Sequence, residues 1–271
     1  MKNILLLVHD DAGQEARFQA ALDVTRVLDG HLKCVDVTPL NLVPADPYGA
    51  GLAADGGAIL LDREQRQESA NKVRLQQRLS VEDVPWDWAD TIGFFSRSIE
   101  EAATLADLIV VNRRLDDDSI PDMRRIASEL IVEAQIPVLA VPQHATGFSV
   151  AGAAVVAWDG SSEAAAALAA AIPLLKRARS VALLEIDDGS IGSPAEDAAA
   201  YLSRHGIHPT ILRTRRPGAM VADVLLEKIA TERFDYLVMG GFGHSRFAEA
   251  CFGGVTRAML THSPVPLFLA H

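Results

Sequence analysis

Cysteine is almost missing from this chain: Cys34 and Cys251 are the two among 271 residues. They read as separate thiols in a reducing compartment, not as a bridge. No apolar run reaches the roughly 18 residues that a membrane helix needs. The opening MKNILLLVHDD has one lysine and a short apolar run before two aspartates, the pattern of a first β-strand and not of a signal peptide. A cytoplasmic protein with no membrane partner is expected. Basic charge is scarce as well. Lys and Arg number 25 against 36 Asp and Glu, a net charge of −11, which argues against nucleic acid as a partner. The eight histidines show no H-E-x-x-H and no clustered spacing, so no protein-built metal site is indicated.

What is present can build real cores: 49% of the residues are hydrophobic, over a length that suits one large or two ordinary domains. The acidity is uneven. Residues 1–145 carry 24 acidic and 14 basic residues, the remainder 12 and 11. An anionic ligand should therefore prefer the second half.

That half holds the stretch around which the chain is organised, DYLVMGGFGHSRFAEACFGGVT, from Asp235 to Thr256. Tyr236 to Met239 form a short apolar run, as in a buried parallel strand. Gly240, Gly241 and Gly243 follow, and Gly253-Gly254 come ten residues later. After them Val255, Ala258, Met259 and His262 recur at helical spacing, so a helix starts there. Glycines let backbone approach a ligand, and open N–H groups at a helix start favour an anion. That is phosphate-binding chemistry; two packing-driven turns with no ligand are the other reading. No lysine follows these glycines, which excludes a Walker A loop. Their late position excludes the dinucleotide fingerprint, and Phe247 stands where a nucleophile elbow needs its second glycine.

The stretch resembles the nucleotide-binding signature of the universal stress protein family, G-x2-G-x9-G-[ST]. Gly240, Gly243 and Gly253 match in spacing, and Thr256 matches a hydroxyl residue often found two positions on; Gly254 departs, since Ser or Thr is usual there. The resemblance implies an ATP site, with magnesium arriving on the phosphates. In it Asp159 lies against the adenosine, Ile186 offers backbone to the adenine edge, and Gly253, Gly254, Val255 and Thr256 supply amides and one hydroxyl. Losing a hydroxyl at 254 would cost about 1.5–3 kcal/mol of binding if it made one hydrogen bond to charge.

An internal repeat extends the resemblance over nearly the whole chain. Asp107–Val111 leads through a loop and a helix to Ile136–Val141, as Asp235–Met239 leads to Pro264–Leu269, and Ile4–Asp10 matches Ala154–Asp159. Strands alternate with helices in both copies, so the expected fold is α/β: two tandem doubly wound parallel-sheet domains, Rossmann-like, with the crevice at the strands' C-terminal ends. They span 1–145 and 151–271, with a linker at 143–150. The resemblance makes this the adenine-nucleotide α-hydrolase-like fold and implies that the tandem domains pair and often form a homodimer.

The first copy lacks the glycines. Asn112-Arg113-Arg114-Leu115 and then three aspartates stand in their place, and no glycine occurs between Glu100 and Gln143. A structural partner domain is expected, with Arg113 and Arg114 as phosphate clamps the alternative. A Pro- and Gly-rich insertion from Pro39 to Ala58 reads as a loop, either a surface excursion or a lid. Asp159 or Ser161 could simply cap the next helix. His244-Ser245 has no evident third group to make a nucleophile, and Arg213, Arg215 and Arg216 could face the crevice mouth, a solvated face being the default. The function expected is a nucleotide-binding stress-response protein in which ATP regulates. Slow ATP hydrolysis or adenylyl transfer, for which no general base is evident, and a ligand-free interaction module are the alternatives.

Overall fold

The computed structural model describes residues 1–39, 66–116, 121–187, 192–215, 218–242 and 254–271. In the first half, strands β1 (Asn3–Val8), β2 (His31–Pro39), β3 (Trp86–Gly93), β4 (Leu108–Asn112) and β5 (Val138–Val141) alternate with helices. These are α1 (Gln14–Val27), α2 (66–79), α3 (Phe95–Ala102) and α4 (Met123–Glu133). The second half repeats the plan with β6 (Ala153–Trp158), β7 (Ser180–Asp187), β8 (Thr210–Arg215), β9 (Tyr236–Gly240) and β10 (Leu267–Ala270). Its helices are α5 (Ser162–Leu175), α6 (Ala195–Arg204), α7 (Val221–Glu232) and α8 (Val255–His262).

The two sheets expected from the sequence are joined into one. Its order is β3-β2-β1-β4-β5-β10-β9-β6-β7-β8, and every neighbouring pair is parallel except β5 with β10. At that antiparallel seam Leu267 pairs with Ala140, Phe268 with Leu139 and Leu269 with Val138. The physical reason lies in composition. V-L-A-V and L-F-L-A are apolar on both faces and fully buried, so either strand left as an edge would expose unpaired backbone beside apolar side chains. Alternate strand residues feed two apolar layers, Ile4, Leu6 and Val8 on one face and Leu5 and Leu7 on the other. Both layers run on across the seam, through Phe268 on the first face and Leu269 on the second.

Each half has the spatial order 3-2-1-4-5, which puts a crevice between its first and fourth strands at their C-terminal ends. Among the described residues no helix is long and apolar enough to cross a membrane. The insertion beyond Pro39, Gly243 to Gly253 and Arg216 lie outside the described residues.

Candidate functional site

The C-terminal crevice is built from strand ends. Trp158 of β6 pairs with Glu185 of β7, so Asp159 and Ile186, each one residue on, stand side by side on the rim. Asp159 is exposed; its carboxylate accepts from the Ser161 amide (2.9 Å), and Ser161 in turn caps α5 through the Ala164 amide (3.1 Å). Of the two capping residues weighed from sequence, Ser161 is the cap, and Asp159 holds the Ser161 amide just ahead of it. Ile186 is half-buried, pairs with Thr214 and packs on the second apolar layer. Residues 192–193 flank this rim. The Gly192 amide donates to Asp159 O (2.8 Å) and the Trp158 indole to Ser193 O (2.9 Å). Gly160 sits at φ +76°, and a side chain there would strike the Ser193 amide.

On the other side of β6, the end of β9 carries the glycines. A Cβ on Gly240 would come within 2.7 Å of the Ala164 amide and the Glu163 carbonyl carbon, so this glycine lets β9 pass under the first turn of α5. A Cβ on Gly241 would strike Ile131 of α4, in the other half of the molecule. Packing therefore accounts for these two glycines, as the ligand-free reading of the spacing allowed. The chain then turns at Phe242, a non-glycine residue at φ +47°, whose amide donates to the hydroxyl of Thr256 (3.2 Å). That bond brings the end of β9 and the start of α8 together. Thr256 is buried, and it keeps its own O–H as a donor. Gly254 is the N-cap of α8 and provides no side-chain cap for the helix amides; Val255 follows it, half-buried. Of the residues nominated from the sequence, Asp159 and Ile186 stand at the ends of β6 and β7, Gly240 ends β9 beside β6, and Gly254, Val255 and Thr256 form the start of α8. Gly243 and Gly253 lie outside the described residues.

Two of the arginines for which the crevice mouth and a solvated face were both open carry ion pairs at exposed positions. Arg213 pairs with Glu185 (2.8 Å) and with Glu196, and Arg215 with Asp187 (3.5 Å). Sequence reasoning missed Glu185, which also accepts from the Ala195 amide at the start of α6 (2.8 Å). An acidic residue two places before a strand's end was the signal available.

Residues 153–271 match the family model described as the universal stress protein family. The C-terminal half is a universal stress protein domain. No curated protein matches the chain by sequence. Among solved structures, a universal stress protein from Archaeoglobus fulgidus DSM 4304 aligns with a TM-score of 0.72 at 14% identity, covering 99% of this chain and 97% of its own. Two structures from Pseudomonas aeruginosa, strains UCBPP-PA14 and PAO1, align at 17% identity with TM-scores of 0.60. Each covers all of this chain, and 93% and 92% of its own length. At these identities the likeness is one of fold, and it extends over both halves.

The N-terminal half has the fold of a universal stress protein domain with its crevice closed from within. Arg17 of α1 is fully buried between the ends of β1 and β4. It donates to Leu7 O (2.8 Å), His9 O (2.6 Å), both carboxylate oxygens of Asp11 (2.7 and 2.8 Å) and Asn112 Oδ1 (2.6 Å). Asn112 holds the place of Gly240. There the crossing of strand and helix is relieved from the opposite side, because a Cβ on Gly13 of the helix start would lie 2.6 Å from Asn112 Cγ. One close approach per repeat needs one glycine, and the two copies put it on different elements. Helix α4, the counterpart of α8, is capped by Asp122, which accepts from the Arg125 amide at 3.1 Å. Arg113 is no phosphate clamp: its Nη1 donates to Leu260 O (3.0 Å) and Thr261 O (2.6 Å) at the end of α8.

A second polar group lies on the β1–β2 rim. His9 Nδ1 is 2.8 Å from Glu68, which also accepts from the Asp10 amide (3.0 Å), and Gln14 and Asn71 exchange hydrogen bonds beside them. Asp36 of β2 is buried with its Oδ1 unpartnered. Burial, then the charges of Glu68 and Asp90, push its carboxyl up to about 7, against the opposing pull of His9 and Lys72. Between its ordinary value of 3.8 and 7 the unfolded chain has lost this proton while the folded chain keeps it, so stability falls as pH rises through that window. Asp36→Asn should therefore be more stable than the parent at pH 8, by on the order of 3 kcal/mol, with the gain shrinking towards pH 4. Urea unfolding at the two pH values checks this; an equal gain at both would exclude a titrating Asp36.

Proposed function

We propose that the C-terminal universal stress protein domain binds an adenine nucleotide of the ATP type, with its phosphates at the start of α8 and its adenosine along the lip of Asp159 and Ile186. The observation that carries this reading is the contrast between two repeat-related helix starts. Helix α4 has its amides taken by Asp122, while α8 begins at Gly254 with no side-chain cap, beside a glycine turn tied to it by Phe242 and Thr256. Open amides at a helix N-terminus stabilise an anion through hydrogen bonds and the helix dipole. The Thr256 hydroxyl accepts from Phe242 and retains one O–H for a phosphate oxygen. Magnesium would arrive on the phosphates, held mostly by them and by water. Among the described residues no base or water-positioning group stands out on this rim, and we read the ligand as a regulator.

A ligand-free interaction module is the second reading. It is favoured by Gly240 and Gly241, whose lack of side chains packing alone explains. Calorimetry with ATP and magnesium separates the two. The first requires saturable binding at or below millimolar nucleotide. No heat at that concentration would leave only the interaction module.

A further inference from the structure

We infer that Arg113, from the N-terminal half, is a positioning residue for the C-terminal nucleotide site, acting through α8; this rests on the nucleotide reading above. Arg113 follows β4 directly, and its backbone amide is fixed to Val141 O (2.9 Å). Its guanidinium crosses to the other half and ends on two carbonyls of the last turn of α8. Burial and the neighbouring Arg114 lower its pKa, yet a guanidinium remains charged.

Helix α8 needs such a hold. It has eight residues, about 12 Å, which is far too short to be stable alone. Its last carbonyls have no partners within the helix, and a cation there complements the dipole whose positive end faces the anion site. One end of α8 is thus fixed by Arg113 and the other by the bond from Phe242 to Thr256. Gly241, just past the end of β9, is held within its own half and abuts the other at one point. Gly241 meets Ile131 of α4, its amide donates to Ala270 O (2.8 Å), and His271 Nδ1 donates to its carbonyl (2.8 Å).

The arrangement has a direction. The position equivalent to Arg113 in the second copy is Gly241, which has no side chain to offer α4. The half that buries Arg17 therefore supplies a cation to α8 of the other half, and among the described residues none is returned to α4 from the position equivalent to Arg113. Occupancy of the nucleotide site and the seating of α8 on the N-terminal half are coupled, each favouring the other.

The test compares Arg113→Met and Arg113→Lys with the parent, using calorimetry with ATP·Mg and with adenosine, and hydrogen exchange of residues 255–262 without ligand. Arg113→Met should bind ATP about fivefold or more weakly with adenosine affinity unchanged, and α8 amides should exchange faster while β9 and β10 stay protected. Arg113→Lys, which keeps a donor and a charge, should recover part of the ATP affinity. ATP binding in Arg113→Met equal to the parent's, or equal losses for ATP and adenosine, would overturn the inference. If the parent itself binds neither ligand, the nucleotide reading fails and the inference with it; if the parent binds ATP and α8 exchange is unaltered by Arg113→Met, the inference alone fails.

Discussion

Gly254→Asp is expected to abolish ATP binding, weakening it at least ~100-fold in calorimetry, while leaving the melting temperature unchanged or slightly higher. Gly254 adopts φ −45°, ψ 159°, on the negative-φ side and outside the left-handed region that favours glycine, so a small shift in φ admits another L-residue there. Aspartate would take the amides of α8 as Asp122 takes those of α4, which helps the helix by a few tenths of a kcal/mol relative to glycine. It would also set a negative charge where the phosphates belong. Two like charges about 4 Å apart near a protein surface repel by about 4 kcal/mol, or roughly a thousandfold in affinity before salt reduces it. Gly254→Ser should act in the opposite sense. A hydroxyl making one hydrogen bond to phosphate adds about 1.5 kcal/mol, close to tenfold tighter binding. Parent-like affinity in the aspartate variant would mean that no phosphate sits at the start of α8.

Arg17→Met should cost about 3–5 kcal/mol, the usual loss when one partner of a buried ion pair is removed. The methionine fills much of the volume but leaves the Asp11 carboxylate without its cation and Asn112 Oδ1 without the Arg17 donor, and it removes one donor each from Leu7 O and His9 O, the latter keeping the Asp11 amide. Since whole domains are stable by only about 5–15 kcal/mol, the N-terminal half should melt many degrees earlier. Urea or thermal unfolding of the full chain would report it. A loss under 1 kcal/mol would show that water can enter and replace the guanidinium, so that the crevice is not sealed by it.

Two of the most informative residues could be weighed only with tertiary structure in hand. From sequence, Arg113 is a cation beside aspartates, and a phosphate clamp was one reading of it. Its actual partners are carbonyls of Leu260 and Thr261, 147 and 148 residues away, which no spacing rule links to it. Arg17 reads as an ordinary helix residue, because nothing in its neighbourhood signals that α1 turns it inward under the ends of two strands. Gly240 shows the reverse. Its presence was plain and its fit to a known signature good, yet what demands it here is the backbone of α5, and a pattern of glycines cannot say whether a ligand or a helix is the thing approached.

The order of strands and helices and the repeat were legible in the residues, as was the placing of Asp159, Ile186 and Gly240 at strand ends and of Gly254, Val255 and Thr256 at a helix start. Local periodicity, proline placement and helix-start chemistry are short-range effects, and each leaves its mark within a few positions. The fusion of two sheets at β5 and β10, the filling of one crevice by Arg17 and the grip of one half on the other's helix were decided by the tertiary structure alone. They depend on which surfaces meet, and the burial that makes those meetings favourable is summed over residues far apart in the chain.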